Sequence, residues 1–196
     1  MRFTETDVLG AVVIDVDPMN DDRGFFGRIW CQQEFMTRGL NGEIAQINVG
    51  FGRAKGTLRG LHYQVSPHEE VKVVRCTRGS LYDVALDLRP ESVTYKSWVG
   101  VYLTAENHRM LYIPEGCAHG YLTLEDDTEL CYSTSALYSP ESATGVRYDD
   151  PLFGIRWPMQ AEIISDKDRC WPLYTEAPLR PVSEATDPRR SIHDHH

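Results

Sequence analysis

The chain has no long apolar run, no paired-cysteine motif and no block of basic residues, and each lack removes a class of protein. No stretch approaches the roughly 20 apolar residues that span a bilayer. The N-terminal MRFTETDVLGAVVIDVDP carries acids throughout and has no apolar centre of signal-peptide length, so a soluble cytoplasmic chain is the expectation. The five cysteines (Cys31, Cys76, Cys117, Cys131 and Cys170) are odd in number, widely spaced and free of any C-x-x-C. They read as reduced, mostly buried thiols. Lys and Arg number 20 against 29 Asp and Glu, a net charge of −9, which argues against a nucleic-acid or anionic-membrane surface, because phosphate binding draws its affinity from clustered cations. Any phosphate bound here is therefore small and met locally. Helical periodicity is almost lacking, and so is any internal repeat.

What remains is strand-forming. A chain of 196 residues suits one domain, expected over residues 1–177, with 178–196 (rich in Pro and charge) as a flexible tail. Val8 to Val16 is apolar and β-branched, and Gln32 to Arg38 is the one early helix, stopped by Gly39. Glu43 to Phe51 alternates, which points Gln46 and Asn48 the same way. VKVVRC and SLYDVALDL, joined through Thr77, Arg78 and Gly79, read as a hairpin. Further strands are expected at Ser97 to Leu103, Met110 to Ile113, Gly120 to Leu124 and Glu129 to Thr134, with turn residues between them. Short strands at regular spacing predict an all-β antiparallel sandwich or barrel with a few short helices.

One stretch is too polar for its strand character. KGTLRGLHYQ, Lys55 to Gln64, sets Lys55, Arg59 and His62 among Leu58, Leu61 and two glycines, and cations on a core-facing element imply a polar task. His62 is the natural general base, since the unperturbed imidazole titrates nearest neutrality. A metal site built on it would want a second histidine two residues on, but Gln64 stands there, and no metal or other cofactor is expected.

Taken together, DDRGFF (Asp21 to Phe26), QIN (Gln46 to Asn48), LRGLHYQ (Leu58 to Gln64), VKVVRCTRGSLYDVALDLR (Val71 to Arg89), WVGVYLTAEN (Trp98 to Asn107) and YIPEGCAHGYLTL (Tyr112 to Leu124) resemble the dTDP-4-dehydrorhamnose 3,5-epimerase family. The resemblance runs on through LCYSTSALYSPE and DDPLFGIRWP to ISDKD. It implies a cupin-type β-barrel (jelly roll), a homodimer, and cofactor-free epimerisation of a nucleotide-linked 4-keto-6-deoxy sugar at the carbons flanking the ketone. It also implies roles: His62 as base, Asp168 orienting it, Lys72 stabilising the oxyanion and Tyr132 returning the proton. Arg23, Gln46, Asn48, Arg59, His119, Tyr138 and Lys167 fall on positions that hold the sugar diphosphate.

The chemistry suits such residues. A carbon acid beside a ketone is far weaker than imidazolium, so a nearby cation or hydrogen-bond donor must stabilise the enolate, and inversion needs a proton from the opposite face. Taken singly, each side chain has an ordinary structural explanation; their joint occurrence in ordered motifs carries the reading. Two positions depart from the pattern: Arg28 and Ala143 stand where the family usually has glutamate. They keep open a single-carbon epimerase or ketoisomerase for another nucleotide sugar. A catalytically silent sugar-nucleotide-binding cupin is the alternative of a different class.

Overall fold

A computed structural model describes residues 1–175 and shows in them fourteen strands and two short helices. In chain order these are β1 (Arg2–Glu5), β2 (Val12–Asp15), β3 (Met19–Asp21), β4 (Gly24–Phe26), α1 (Gln32–Met36), β5 (Gln46–Gly52), β6 (Thr57–Gln64), β7 (Lys72–Arg78) and β8 (Ser80–Asp87). There follow β9 (Trp98–Thr104), β10 (Met110–Ile113), β11 (Cys117–Thr123), β12 (Thr128–Thr134), β13 (Ala143–Gly145), β14 (Ile163–Ile164) and α2 (Asp166–Arg169). One sheet has the order β1-β2-β10-β7-β12-β5; the other has β13-β6-β11-β8-β9, with β14 parallel to β6. The remaining pairs are antiparallel, and β3 with β4 forms a separate ribbon. The architecture is the expected all-β jelly roll. The proposed tail, 178–196, lies outside the described residues.

Three apolar clusters explain why alternation alone does not sort inside from outside. Val74, Cys76 and Leu130 of the first sheet meet Leu81, Ala85, Val101 and Leu103 of the second between the layers. The outer face of the second sheet is also covered, where Tyr82, Val84, Leu86 and Ala118 pack under Val146, Phe153, Tyr148 and Trp157. Phe35 of α1 seals the outer face of the first sheet over Ile14, Met110 and Tyr112. All eight residues of β8 are consequently buried, as befits a strand covered on both faces.

Two expectations need correction. β7 and β8 are not a hairpin: β7 pairs with β10 and β12, while β8 pairs with β9 and β11 in the other sheet. Gly79 alone separates them, too few residues for a hairpin loop, and its φ of +71° turns the chain from one layer to the other. The strand expected at Val8 to Val16 is confined to β2 and lies between β1 and β10. β1, flanking it, has no apolar alternation and is mostly exposed.

Candidate active site

At one end of the sandwich the core between the sheets gives way to a cavity of about 670 Å³. From the first sheet, alternation turns Gln46 and Asn48 of β5, Lys72 of β7 and Tyr132 of β12 inward; from the second come Arg59 and His62 of β6 and His119 and Tyr121 of β11. Register explains the clustering. Tyr132 lies opposite Asn48, Thr134 lies between Gln46 and Lys72, and His119 lies opposite His62. β6 and β11 approach so closely that a Cβ on Gly60 would come within 2.5 Å of the Gly120 Cα, which brings the two histidines side by side.

His62 Nε2 bonds Asp168 Oδ1 at 2.6 Å, and the Gly60 N–H donates to the other carboxylate oxygen at 3.2 Å. Asp168 is held in turn by the Ser165 cap of α2, whose hydroxyl accepts the Asp168 N–H at 3.1 Å. Burial pushes the Asp168 carboxyl up, but the hydrogen bond and charge of His62, with the Gly60 N–H and Ser165, outweigh it and hold the group below the usual carboxylate range. An ionised Asp168 accepts from Nε2–H, which leaves Nδ1 of His62 as the basic nitrogen. Lys72, only 7% exposed, crosses between the sheets and donates to the His62 carbonyl at 3.1 Å. Burial first, then the charge of Glu70, raise the Tyr132 phenol above its ordinary value, with Arg59 opposing.

Tyr138 and Lys167 also line this cavity, and the Tyr138 N–H donates to the Gln46 side chain. Ten of the eleven residues expected at the site therefore meet in one place, and Arg23 does not. It sits between β3 and β4, exposed and paired with Asp21. Of the two departures, Ala143 lines the cavity opposite Gln64 on β6, whereas Arg28 is away from it, paired with Glu34. Among the described residues no group of three or more His, Cys, Asp or Glu side chains is arranged to hold a metal ion.

The sequence profile of the dTDP-4-dehydrorhamnose 3,5-epimerase family matches residues 5–176. The chain belongs to this family. It is an isomerase, and its jelly roll is of the cupin type. A dTDP-4-dehydrorhamnose 3,5-epimerase of Methanothermobacter thermautotrophicus is 41% identical over 181 residues, 91% of this chain and 97% of that relative. The crystal structure of a dTDP-4-dehydrorhamnose 3,5-epimerase from Bacillus anthracis with TDP and PPi bound superposes with a TM-score of 0.84 at 38% identity, covering 88% of this chain and 99% of that one. A 3′-monoepimerase from Streptomyces bikiniensis in complex with dTDP-quinovose matches with a TM-score of 0.78 at 32% identity, covering 85% of each chain.

Four residues in or against this cavity were not singled out by the sequence reasoning. Glu70 lines the cavity beside Lys72, and strand-like alternation with Lys72 was the available signal. Tyr121 alternates with His119 in the same way; burial above all pushes its phenol up to about 12. Asp83, fully buried, bonds His119 Nε2 at 2.7 Å. Trp171 packs edge-on to His62 at 6.5 Å, and Lys167 lies over its ring at 5.6 Å.

Proposed function

We propose that this protein epimerises a dTDP-linked 4-keto-6-deoxy sugar without a cofactor, using His62 as base, Lys72 as oxyanion donor and Tyr132 as acid. The observation that carries it is a carboxylate-oriented histidine sharing one cavity with a buried ammonium and a half-buried phenol. Nδ1 of His62 removes a proton from a carbon next to the ketone, and the electron pair moves onto the ketone oxygen. The Lys72 ammonium stabilises that enolate. Collapse of the enolate takes a proton from the Tyr132 hydroxyl on the opposite face and inverts the carbon; solvent exchange then resets imidazolium and phenolate. A single oxyanion site serves both carbons that flank one ketone. Arg59 and Lys167 supply cations for the diphosphate, with Gln46, Asn48, His119 and Tyr138 around the sugar nucleotide.

The working unit is a homodimer in this reading. Its support is an apolar surface unusual for a lone chain: Phe25 and Phe26 on the β3–β4 ribbon, and Ile47 (66% exposed) and Val49 (68% exposed) on the outer side of edge strand β5. A second copy seated there covers that face, and the ribbon carries Arg23 towards the neighbour's cavity. All five cysteines are free thiols, as a reducing cytoplasmic setting would keep them, and among the described residues no helix is long and apolar enough to cross a membrane.

Incubation with dTDP-4-keto-6-deoxyglucose in D2O, followed by NMR, tests the reaction. Deuterium is expected at the carbons flanking the ketone, with His62→Ala lowering the rate by at least ~100-fold. Tyr132→Phe is expected to keep exchange but lose inverted product. No label from any dTDP-4-keto sugar refutes the reading. The number of labelled positions separates a 3,5-epimerase from a monoepimerase like the Streptomyces bikiniensis relative.

A further inference from the structure

The Lys72 ammonium is held inside the chain on two sides: it donates an N–H to the His62 carbonyl and is ion-paired with Glu70 Oε1, each at 3.1 Å. Glu70 is itself fixed. Its side chain is 10% exposed, and Oε2 accepts from Gln64 Nε2 at 3.2 Å. Gln64 cannot swing away, because its two amide N–H groups are shared among Glu70 and the His68 and Leu137 carbonyls, the latter at 2.8 and 3.2 Å, and its Oε1 accepts the Ser139 N–H at 2.6 Å. A line of polar contacts thus runs from Ser139 through Gln64 to Glu70 by hydrogen bonds, on to Lys72 by an ion pair, and to the backbone of His62.

A carboxylate is a costly neighbour for an oxyanion donor, since it offsets part of the ammonium's charge in a half-dry site. For charge alone a neutral side chain is better, so its presence calls for a geometric and electrostatic use. We propose that Glu70 is a positioning residue, holding the Lys72 ammonium by ion pairing against the His62 backbone so that its remaining N–H groups serve the cavity, and setting the field at the Tyr132 hydroxyl. The titratable and charged groups sharing the cavity with that hydroxyl are Glu70 and Lys72 beside and on β7, Arg59, His62 and Tyr63 on β6, His119 and Tyr121 on β11, Lys167 and Asp168 on α2, and Tyr138 after β12. Of these, Glu70 adds to burial in raising the Tyr132 phenol, and Arg59 opposes it. The carboxylate therefore keeps the proton on Tyr132 as pH rises, and makes the phenolate formed after transfer quicker to recover a proton.

The role of Glu70 rests on the epimerase reading, and the experiment keeps the two separable. Wild type and Glu70→Gln, which preserves shape and removes charge, are compared with dTDP-4-keto-6-deoxyglucose for kcat, KM, deuterium uptake and the pH dependence of kcat, alongside dTDP affinity and thermal midpoint. The expected result for E70Q is kcat lower by ~10-fold with KM and dTDP affinity within about twofold, and an alkaline limb of kcat displaced to lower pH. Wild-type kcat with an unmoved alkaline limb overturns the proposal. A fall in thermal midpoint accompanied by loss of dTDP binding also overturns it, because Glu70 then serves only the fold. Wild type failing to exchange sinks the epimerase reading instead.

Discussion

Asp87 and Asp168 are both buried carboxylates, yet their partners give them different consequences. Asp87 accepts from Arg89 Nε and Nη2 at 2.8 and 2.7 Å, from Ser92 at 2.5 Å and from Thr94 at 2.7 Å. Burial pushes its carboxyl up, and these bonds more than reverse that, drawing it down to about 2. A folded-state value below the unfolded one stabilises the fold above the ordinary carboxyl range, near pH ~4, and that stabilisation is lost as pH falls through the folded value. The size is about 2 kcal/mol. Asp87→Asn is therefore expected to lose at least that at neutral pH and to flatten the acid limb of stability, as read by urea unfolding across pH; an acid limb like wild type refutes the assignment. At this scale the site was legible where a residue type announces its chemistry. His62 and Lys72 sit on strands where charge is expensive, and Tyr132 and Asp168 came with their motifs. Asp83 escaped because an acid in an alternating strand reads as solvent-facing, whereas the sandwich buries both faces of β8.

Among the elements, the turn between β7 and β8 decides the sandwich, because it sends consecutive strands to different layers. A Cβ at Gly79 would stand 2.6 Å from the Thr128 hydroxyl and 3.2 Å from its Cα, at a φ of +71°. Gly79→Ala is expected to cost about 2–4 kcal/mol from clash and backbone strain together, seen as a lowered thermal midpoint. Gly39→Ala is the control: its φ is +70° with nothing within 4 Å, so it pays strain alone, about 1 kcal/mol. Equal losses for the two variants would refute the steric part. The strands themselves were largely readable, and α1 begins at the expected Gln32. The apparent hairpin was not, since strand–glycine–strand has the same local signature whether the chain folds back or crosses over. β1 and the two-residue β14 also went unread, as their pairing comes from neighbours and not from an apolar pattern of their own.

For the whole molecule, the exposed apolar ribbon and edge strand predict a dimer of twice the chain mass by analytical ultracentrifugation. Phe26→Asp combined with Ile47→Asp is expected to give a folded monomer with kcat/KM reduced by ~100-fold or more, as Arg23 no longer reaches a neighbouring cavity. A wild-type monomer with full activity refutes this. Composition, strand spacing and ordered motifs by themselves determined the fold class, the family and most of the side chains that line the cavity, because those depend on residue types and on an alternation that any strand imposes. Only the tertiary structure decided that β6 and β7 face each other from different sheets, that Lys72 spans the gap to the His62 carbonyl, and that Glu70 is locked beside it. Contacts between layers depend on which strands become neighbours, and a local pattern carries no record of a partner many residues away.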